Sequence, residues 1–383
     1  MTLSELLANE ELRQQEFPVA REKIFLAHAG VSPLPRRVSE AIRCYASQCM
    51  LGDQETLLPA HHLHETRELA ARLLKAQSDE IAFVGPTSLA LSYVASGLTF
   101  RKHENVVVYF DDYPSNVYPW MALAEKGVHV RFLNVRELGQ IRLVDLQGQV
   151  DENTRLVALA SCHFVSGYRI ELATVGEFLH QRDILFCVDG IQTVGAFPTS
   201  VEHVDFLAAD AHKWMLGPCA AGILYVRKSV QEKLNPSVYG WNNVRCPNYI
   251  AQERIVLRPD ARRYEVGTAN WLGLVGLHGA MELLLEIGID QIAAELLRKR
   301  AWLVPALAAK GYTVLNPGVP TQNLGAIIAL HREATDLSAL HQKLEQANIM
   351  VSLRADRSGR QYLRLSPHFY NTDTELHRVL GML

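Results

Sequence analysis

Lys213 lies in the run FLAADAHKWMLGP, with Phe206, Leu207, Ala208 and Ala209 before it and Trp214, Met215 and Leu216 after it. Burying an ammonium group is costly. A lysine in such company either pairs with a carboxylate, Asp210 or Asp205 here, or takes a lowered pKa that suits it to act as nucleophile or base. A second apolar run, ILFCV, ends in Asp189, followed by Gly190 and Gln192. An aspartate there either caps the next turn or serves as a buried counter-charge. Upstream, EIAFV leads into Gly85-Pro86-Thr87-Ser88 and then the helical stretch LALSYVASGL. Glycine, hydroxyls and free helix N-terminal amides make either an anion site or an ordinary cap.

Together these three features meet a demanding chemical specification. Pyridoxal 5′-phosphate (PLP) chemistry needs a lysine to form an imine, a carboxylate to keep the pyridine nitrogen protonated, and a polar cradle for the phosphate.

The elements that must position these residues are visible in the hydrophobic pattern. Between residues 81 and 228, apolar runs at 104–110, 128–135, 155–164, 184–189, 204–210 and 221–226 alternate with amphipathic stretches. Near-continuous hydrophobicity predicts strands covered on both faces, hence an α/β fold with a mainly parallel sheet flanked by helices. In such a sheet, ligands sit beyond the carboxyl ends of the strands, where Asp189 and the Asp210–Lys213 segment fall. After residue 265 the character changes. A Leu- and Ala-rich helical stretch (272–310) leads to the short apolar runs GYTVL, GAIIAL, IMVSL and YLRLS, which predict a smaller α+β domain. The expected division is a large cofactor-binding domain at 21–264 and a small domain made of 1–20 and 265–383.

The 383 residues are 48% hydrophobic and 21% charged with a formal net charge of −3, which points to a small-molecule partner and to neither nucleic acid nor membrane. The polar N-terminus and the absence of a long apolar run lead us to expect a cytoplasmic protein. Six scattered cysteines without a CxxC pair read as reduced thiols. His61, His62 and His64 match no common zinc pattern, so no metal is expected. A GxGxxG or GK[ST] loop, which a nucleotide-binding reading requires, is missing.

Read in order, these segments resemble the PLP-dependent class V aminotransferase superfamily, which includes cysteine desulfurases, kynureninase and isopenicillin N epimerase. The likeness rests on VDGIQ (188–192) followed by AHKWMLGP (211–218), with GPTS upstream and YLRLSPHFYNTDTEL (362–376) downstream. The resemblance implies a PLP-dependent transferase fold of type I. It assigns the imine to Lys213, the pyridine nitrogen to Asp189, the ring hydroxyl to Gln192, and the phosphate to Thr87, Ser88 and His212. It also implies that Tyr113, in DDYPSNVYPW, stacks on the ring, that Ser166 approaches the ring hydroxyl, and that Arg364 anchors the substrate α-carboxylate. His28 and Trp241 are candidates for the pocket wall. In YEVGTAN, Gly267 and Thr268 would reach the phosphate of a second subunit, so a homodimer with shared active sites is expected.

Two departures bear on the reaction. Desulfurases have histidine where this chain has Tyr113, and a persulfide-forming cysteine where SLRADRSGRQ (352–361) has none. The expectation is therefore an enzyme of amino acid metabolism acting on a small amino acid, an aminotransferase first. The alternatives are a carbon–sulfur or other β-eliminating lyase that uses no enzyme thiol, an epimerase, a kynureninase-like hydrolase and a non-catalytic PLP-binding protein. Asp210 is expected to point away from the phosphate or to bond a neighbour such as Trp214.

Overall fold

The computed structural model describes residues 1–59 and 61–383. Its strands are β1 (Ile24–Phe25), β2 (Ile81–Val84), β3 (Asn105–Val108), β4 (His129–Phe132), β5 (Thr154–Ala160), β6 (Leu185–Asp189), β7 (Phe206–Asp210), β8 (Gly222–Val226), β9 (Thr313–Val314), β10 (Ile328–His331), β11 (Ile349–Met350), β12 (Ser352–Ala355) and β13 (Gln361–Leu365).

Seven of them form the main sheet in the order β2-β8-β7-β6-β5-β3-β4. The pairs from β7 through β6, β5 and β3 to β4 are parallel, and only β8 runs against its neighbours β2 and β7. The expected α/β fold is thus present. The reason shows in the side-chain alternation. Val107, Val157, Leu159, Phe186, Val188, Leu207 and Ala209 enter one core. Their neighbours Val106, Val108, Leu156, Ala158, Leu185, Cys187, Phe206 and Ala208 enter the core on the opposite face. Successive residues of a strand point to opposite faces, so a strand buried on both sides must be apolar throughout. Strand β4, at the edge, carries His129 and Arg131 and is only partly covered.

The stretch predicted helical at 272–310 is two helices, Trp271–Ile287 and Ile289–Ala309, which meet at 75° across Gly288. Gly288 has φ 93°, a conformation that a side chain would disfavour. No single helix among the described residues is long and apolar enough to cross a membrane. The first of the two packs Leu274, Leu277, Met281 and Leu284 into the core of the main sheet, and Leu3, Leu6 and Phe17 of the N-terminal segment join that core.

Beyond it lies a four-stranded antiparallel sheet, β12-β13-β10-β9. Its core gathers Leu303, Leu307, Ile328, Leu330, Leu344, Leu363 and Leu376, with Ile24 and Leu26 from the chain's beginning. β1 pairs with β11 as a separate two-stranded sheet, and an Ala27–Ser366 bridge ties the residues that follow β1 to the chain just after β13.

Candidate active site

At the carboxyl end of the main sheet, a cavity of about 240 Å3 is lined by Gly30, Thr87, Ser88, Tyr113, Asp189, Gln192, His212, Lys213, Arg354 and Arg364 among others. Elements far apart in sequence converge there: the ends of β6 and β7, the turn after β2, the loop after β3, and strands β12 and β13.

Lys213 is 7% exposed, and its Nζ makes no hydrogen bond or ion pair among the described residues. Asp205, one of its two possible structural partners, is taken by His180 at 3.0 Å and Arg227 at 3.3 Å. Asp210, the other, accepts hydrogen bonds from the amides of Ala211, Ala220 and Ala221 at 2.8, 3.1 and 3.0 Å and from His212 Nδ1 at 2.8 Å. The structural ion-pair reading of Lys213 is therefore overturned. Burial pushes its pKa down to about 8, Asp189 opposing the shift and Arg364 and Arg354 adding to it. A lysine in this state has a substantial neutral fraction near neutral pH, which is what an amine nucleophile or base requires.

The backbone around Lys213 is fixed. Ser32 Oγ donates to Lys213 O at 2.7 Å and the Ser32 amide donates to His212 O at 2.7 Å. The turn that follows holds Leu216 at φ 58°, a left-handed conformation that costs a branched residue about 1–2 kcal/mol and is retained where the surroundings over-determine it.

Asp189 is 2% exposed and has one carboxylate oxygen on the Ile191 amide at 3.0 Å. Its pKa is raised by burial, with Lys213 pulling the other way. Gln192 is pinned at both ends, Oε1 accepting from Trp214 Nε1 at 2.8 Å and Nε2 donating to Ala29 O at 3.2 Å. The indole that was a candidate partner for Asp210 is thus bound to Gln192 instead. Helix Thr87–Gly97 begins at this cavity with Pro86 as its N-cap and no side chain capping it. Thr87 Oγ1 accepts from the Asp210 amide at 2.9 Å, tying the helix start to the end of β7. His212 reaches the same place, oriented through Nδ1 by Asp210.

Tyr113 covers the cavity with its ring centroid 5.2 Å from Lys213 Nζ and 5.4 Å from the Phe164 ring. Arg364, 1% exposed, donates from Nη1 to Phe164 O at 2.6 Å and from Nη2 to Ser352 Oγ at 3.4 Å, and its buried Nε has no partner among the described residues. Burial first and Arg354 second push its pKa down to about 9. A buried guanidinium with an orphaned donor and no carboxylate calls for an anion from outside the chain.

Five expected residues lie elsewhere. His28 is wholly buried, with Nδ1 on Ser366 O at 2.9 Å and Nε2 on the Tyr370 hydroxyl at 2.7 Å, and it does not line the cavity. Its pKa falls to about 3 through burial, so it is a neutral core histidine. Ser166 lies outside the cavity wall and its Oγ lies 3.1 Å from His163 Nδ1. Gly267 and Thr268, with Trp241, line a neighbouring cavity of about 390 Å3 beside Gly85 and Gly222.

Sequence reasoning assigned no role to several residues that the fold brings in. Gly30, Ser115, Phe164 and Arg354 reach the wall. Asp112 lies just behind it, accepting from the Tyr113 amide at 2.7 Å, Asn116 Nδ2 at 3.0 Å and the Ala160 amide at 3.1 Å. Burial and the nearby Asp189 push the Asp112 carboxyl up to about 7. The one available signal was strand alternation. Arg354 is two residues from Ser352, which pairs with Arg364, so both arginines share one face of the antiparallel pair.

These residues fit PLP. The uncapped helix start, Ser88 and His212 suit a phosphate, Lys213 offers a desolvated amine, and the desolvated Asp189 would be matched by the positive charge of a protonated pyridine nitrogen. Fold and site together define a PLP-dependent enzyme.

The sequence matches the family described as aminotransferase class-V over residues 24–379. A probable cysteine desulfurase of Methanothermobacter thermautotrophicus is 33% identical over 293 residues, covering 75% of this chain and 72% of the relative. An uncharacterized aminotransferase of Bacillus subtilis is 28% identical, covering 97% and 96%. In fold, the cysteine desulfurase of Thermococcus onnurineus superposes with a TM-score of 0.88 at 23% identity, covering 97% of this chain and 96% of that one. A cystine C–S lyase solved with cysteine persulfide gives 0.85 at 20% identity, covering 95% and 98%. The chain belongs to the class-V aminotransferase family and is a PLP-dependent enzyme.

Proposed function

We propose that this enzyme is a β-eliminating lyase that cleaves a carbon–sulfur bond of an amino acid without an enzyme thiol. Carbon–sulfur chemistry is suggested by the relatives named as desulfurases. The observation that carries the thiol-independent reading is the wall of the cavity: among the described residues no cysteine lines it. The segment between β12 and β13 is a closed hairpin, with the Asp356 amide donating to Arg360 O at 3.0 Å and the Gly359 amide to Asp356 O at 3.0 Å. Asp356 Oδ1 is further bonded to the amides of Ser358 and Arg360 at 2.9 and 3.1 Å.

Bound PLP supplies an electron sink for charge that develops at the substrate Cα. In this reading Lys213 would supply the amine that holds the cofactor and would then carry the Cα proton. Asp189 holds the ring nitrogen in its protonated form. Gln192 would serve the ring hydroxyl, Tyr113 would stack on the ring, and Thr87, Ser88 and His212 would hold the phosphate. Arg364 takes the α-carboxylate in a two-pronged contact. The electrons of the C–S bond leave with sulfur, which picks up a proton, and hydrolysis yields a keto acid and ammonia. Gly267 and Thr268 serve the phosphate of a second copy across a homodimer interface.

Purified protein should show a visible absorbance band that borohydride abolishes by fixing the cofactor on Lys213. Cysteine or an S-substituted cysteine should give keto acid, ammonia and a sulfur product with no acceptor added. A strict need for an added keto acid would replace the lyase by the aminotransferase. A Lys213→Ala protein with full activity would overturn the site as a whole; we expect a loss of roughly a thousandfold or more.

A further inference from the structure

Two guanidinium groups, not one, face the substrate side of the cavity. Arg364 and Arg354 both line it, and a Cβ built on Gly30 would stand 3.8 Å from Arg364 Nη2 and 4.0 Å from Arg354 Nη2, so both groups converge on one small volume left open by the absent side chain. Arg354 has no ion pair among the described residues, its Nη1 donating only to the carbonyl of its own neighbour Leu353 at 2.8 Å.

The carboxylates close by cannot supply the missing charge. Asp356 is held by Ser358, Arg360 and the Tyr362 hydroxyl, the last at 2.8 Å. Asp111 is paired with Arg357 at 2.6 Å. Asp112 and Asp210 are enclosed by backbone amides and by Asn116 and His212. Asp189 is reserved for the cofactor ring and the phosphate for the helix start and His212. An α-carboxylate on Arg364 therefore leaves the half-buried Arg354 guanidinium on the cavity wall without an anionic partner, free to take a charge-assisted contact from a ligand.

We propose that Arg354 binds a second acidic group of the substrate, so that the enzyme acts on amino acids carrying a carboxylate or similar oxyanion beyond the reacting carbon. This rests on the proposed function above, in which that group sits on the departing sulfur substituent. It makes Arg354 a specificity residue and Gly30 the space that lets the two anions lie side by side.

The test uses dicarboxylates that cannot react. Calorimetric titration of the PLP-loaded protein should show succinate or glutarate binding on the order of tenfold more tightly than propionate, the scale of one added charge-assisted contact. Arg354→Gln should remove that preference while leaving propionate affinity unchanged, and Arg354→Lys should restore part of it. Equal affinity for mono- and dicarboxylates would overturn the inference. So would an Arg354→Gln protein that loses propionate and succinate alike, since both arginines would then grip a single carboxylate. Arg354 is only half-buried, so its replacement is compatible with folding. Cofactor loading is followed separately through the borohydride-sensitive band: its absence would count against the PLP site, whereas its presence with no dicarboxylate preference would count against the second anion alone.

Discussion

The pKa of Lys213 sets a measurable pH dependence at the scale of one residue. In the cofactor-free protein it is about 8 when folded, against 10.5 for an ordinary lysine, because burial disfavours the ammonium. Between these values the unfolded chain binds more protons than the folded one, so stability rises with pH through that window. Each tenfold loss of proton affinity is worth about 1.4 kcal/mol, which limits the contribution to about 3 kcal/mol. Lys299 has a similarly depressed pKa and adds a rise of the same sign, so the comparison must be with a variant. We expect cofactor-free Lys213→Met to be more stable than the parent in urea unfolding at pH 7.5, and the gap to shrink toward pH 10. A gap independent of pH would mean that Lys213 is not desolvated.

At the scale of the element, the end of β7 depends on Asp210. It satisfies three backbone amides and orients His212, while its own amide secures Thr87 at the helix start. Asp210→Ala leaves those donors without a partner in a buried place, at about 1–3 kcal/mol each before any relaxation. The expected result is a drop of several kcal/mol in urea unfolding, with weaker retention of PLP on dialysis because phosphate and lysine segments are no longer held in register. The hairpin between β12 and β13 behaves differently. Arg357 reaches from it to Asp111 at 2.6 Å and lies 3.6 Å over the Phe110 ring, but both ion-pair partners are substantially exposed. Such a pair contributes about 0.2–1 kcal/mol. Arg357→Ala should leave the unfolding midpoint almost unchanged while amide exchange in residues 356–360 quickens; a large loss of stability would show that the contact does more than tether the hairpin.

At the scale of the whole molecule, one stretch of surface is rich in exposed apolar residues. Tyr249, Ile250, Ile255 and Val256 are 74%, 63%, 69% and 51% exposed, and Val238, Tyr239 and Trp241 continue the patch toward the cavity that holds Gly267 and Thr268. Trp241 packs against Tyr249, and a grouping of exposed apolar side chains of this kind is characteristic of interaction faces. The homodimer we propose would cover it. Sedimentation should show a dimer, and Ile255→Asp should shift it toward monomer and reduce PLP occupancy together. A monomer with full occupancy would remove the second subunit from the site.

The sequence by itself determined the sheet and the central chemistry. Strands buried on both faces have no choice but to be apolar, so the runs ending in Asp189 and Asp210 were legible, and the rule that ligands gather at strand ends placed Lys213 with them. Lys213, Asp189, Gln192, Thr87, Ser88, His212, Tyr113 and Arg364 do line one cavity. What local pattern could not carry was the direction of side chains at loops and the company each charge keeps. His28 looked available but is enclosed by Ser366 and Tyr370, more than 330 residues away. Asp210 looked like a partner for Lys213 but is consumed by amides that approach it only once β8 has turned back alongside β7. The absence of an ion-pair partner for Arg354 among the described residues is likewise a tertiary fact, since a guanidinium is left without a carboxylate only after every nearby one has been assigned elsewhere.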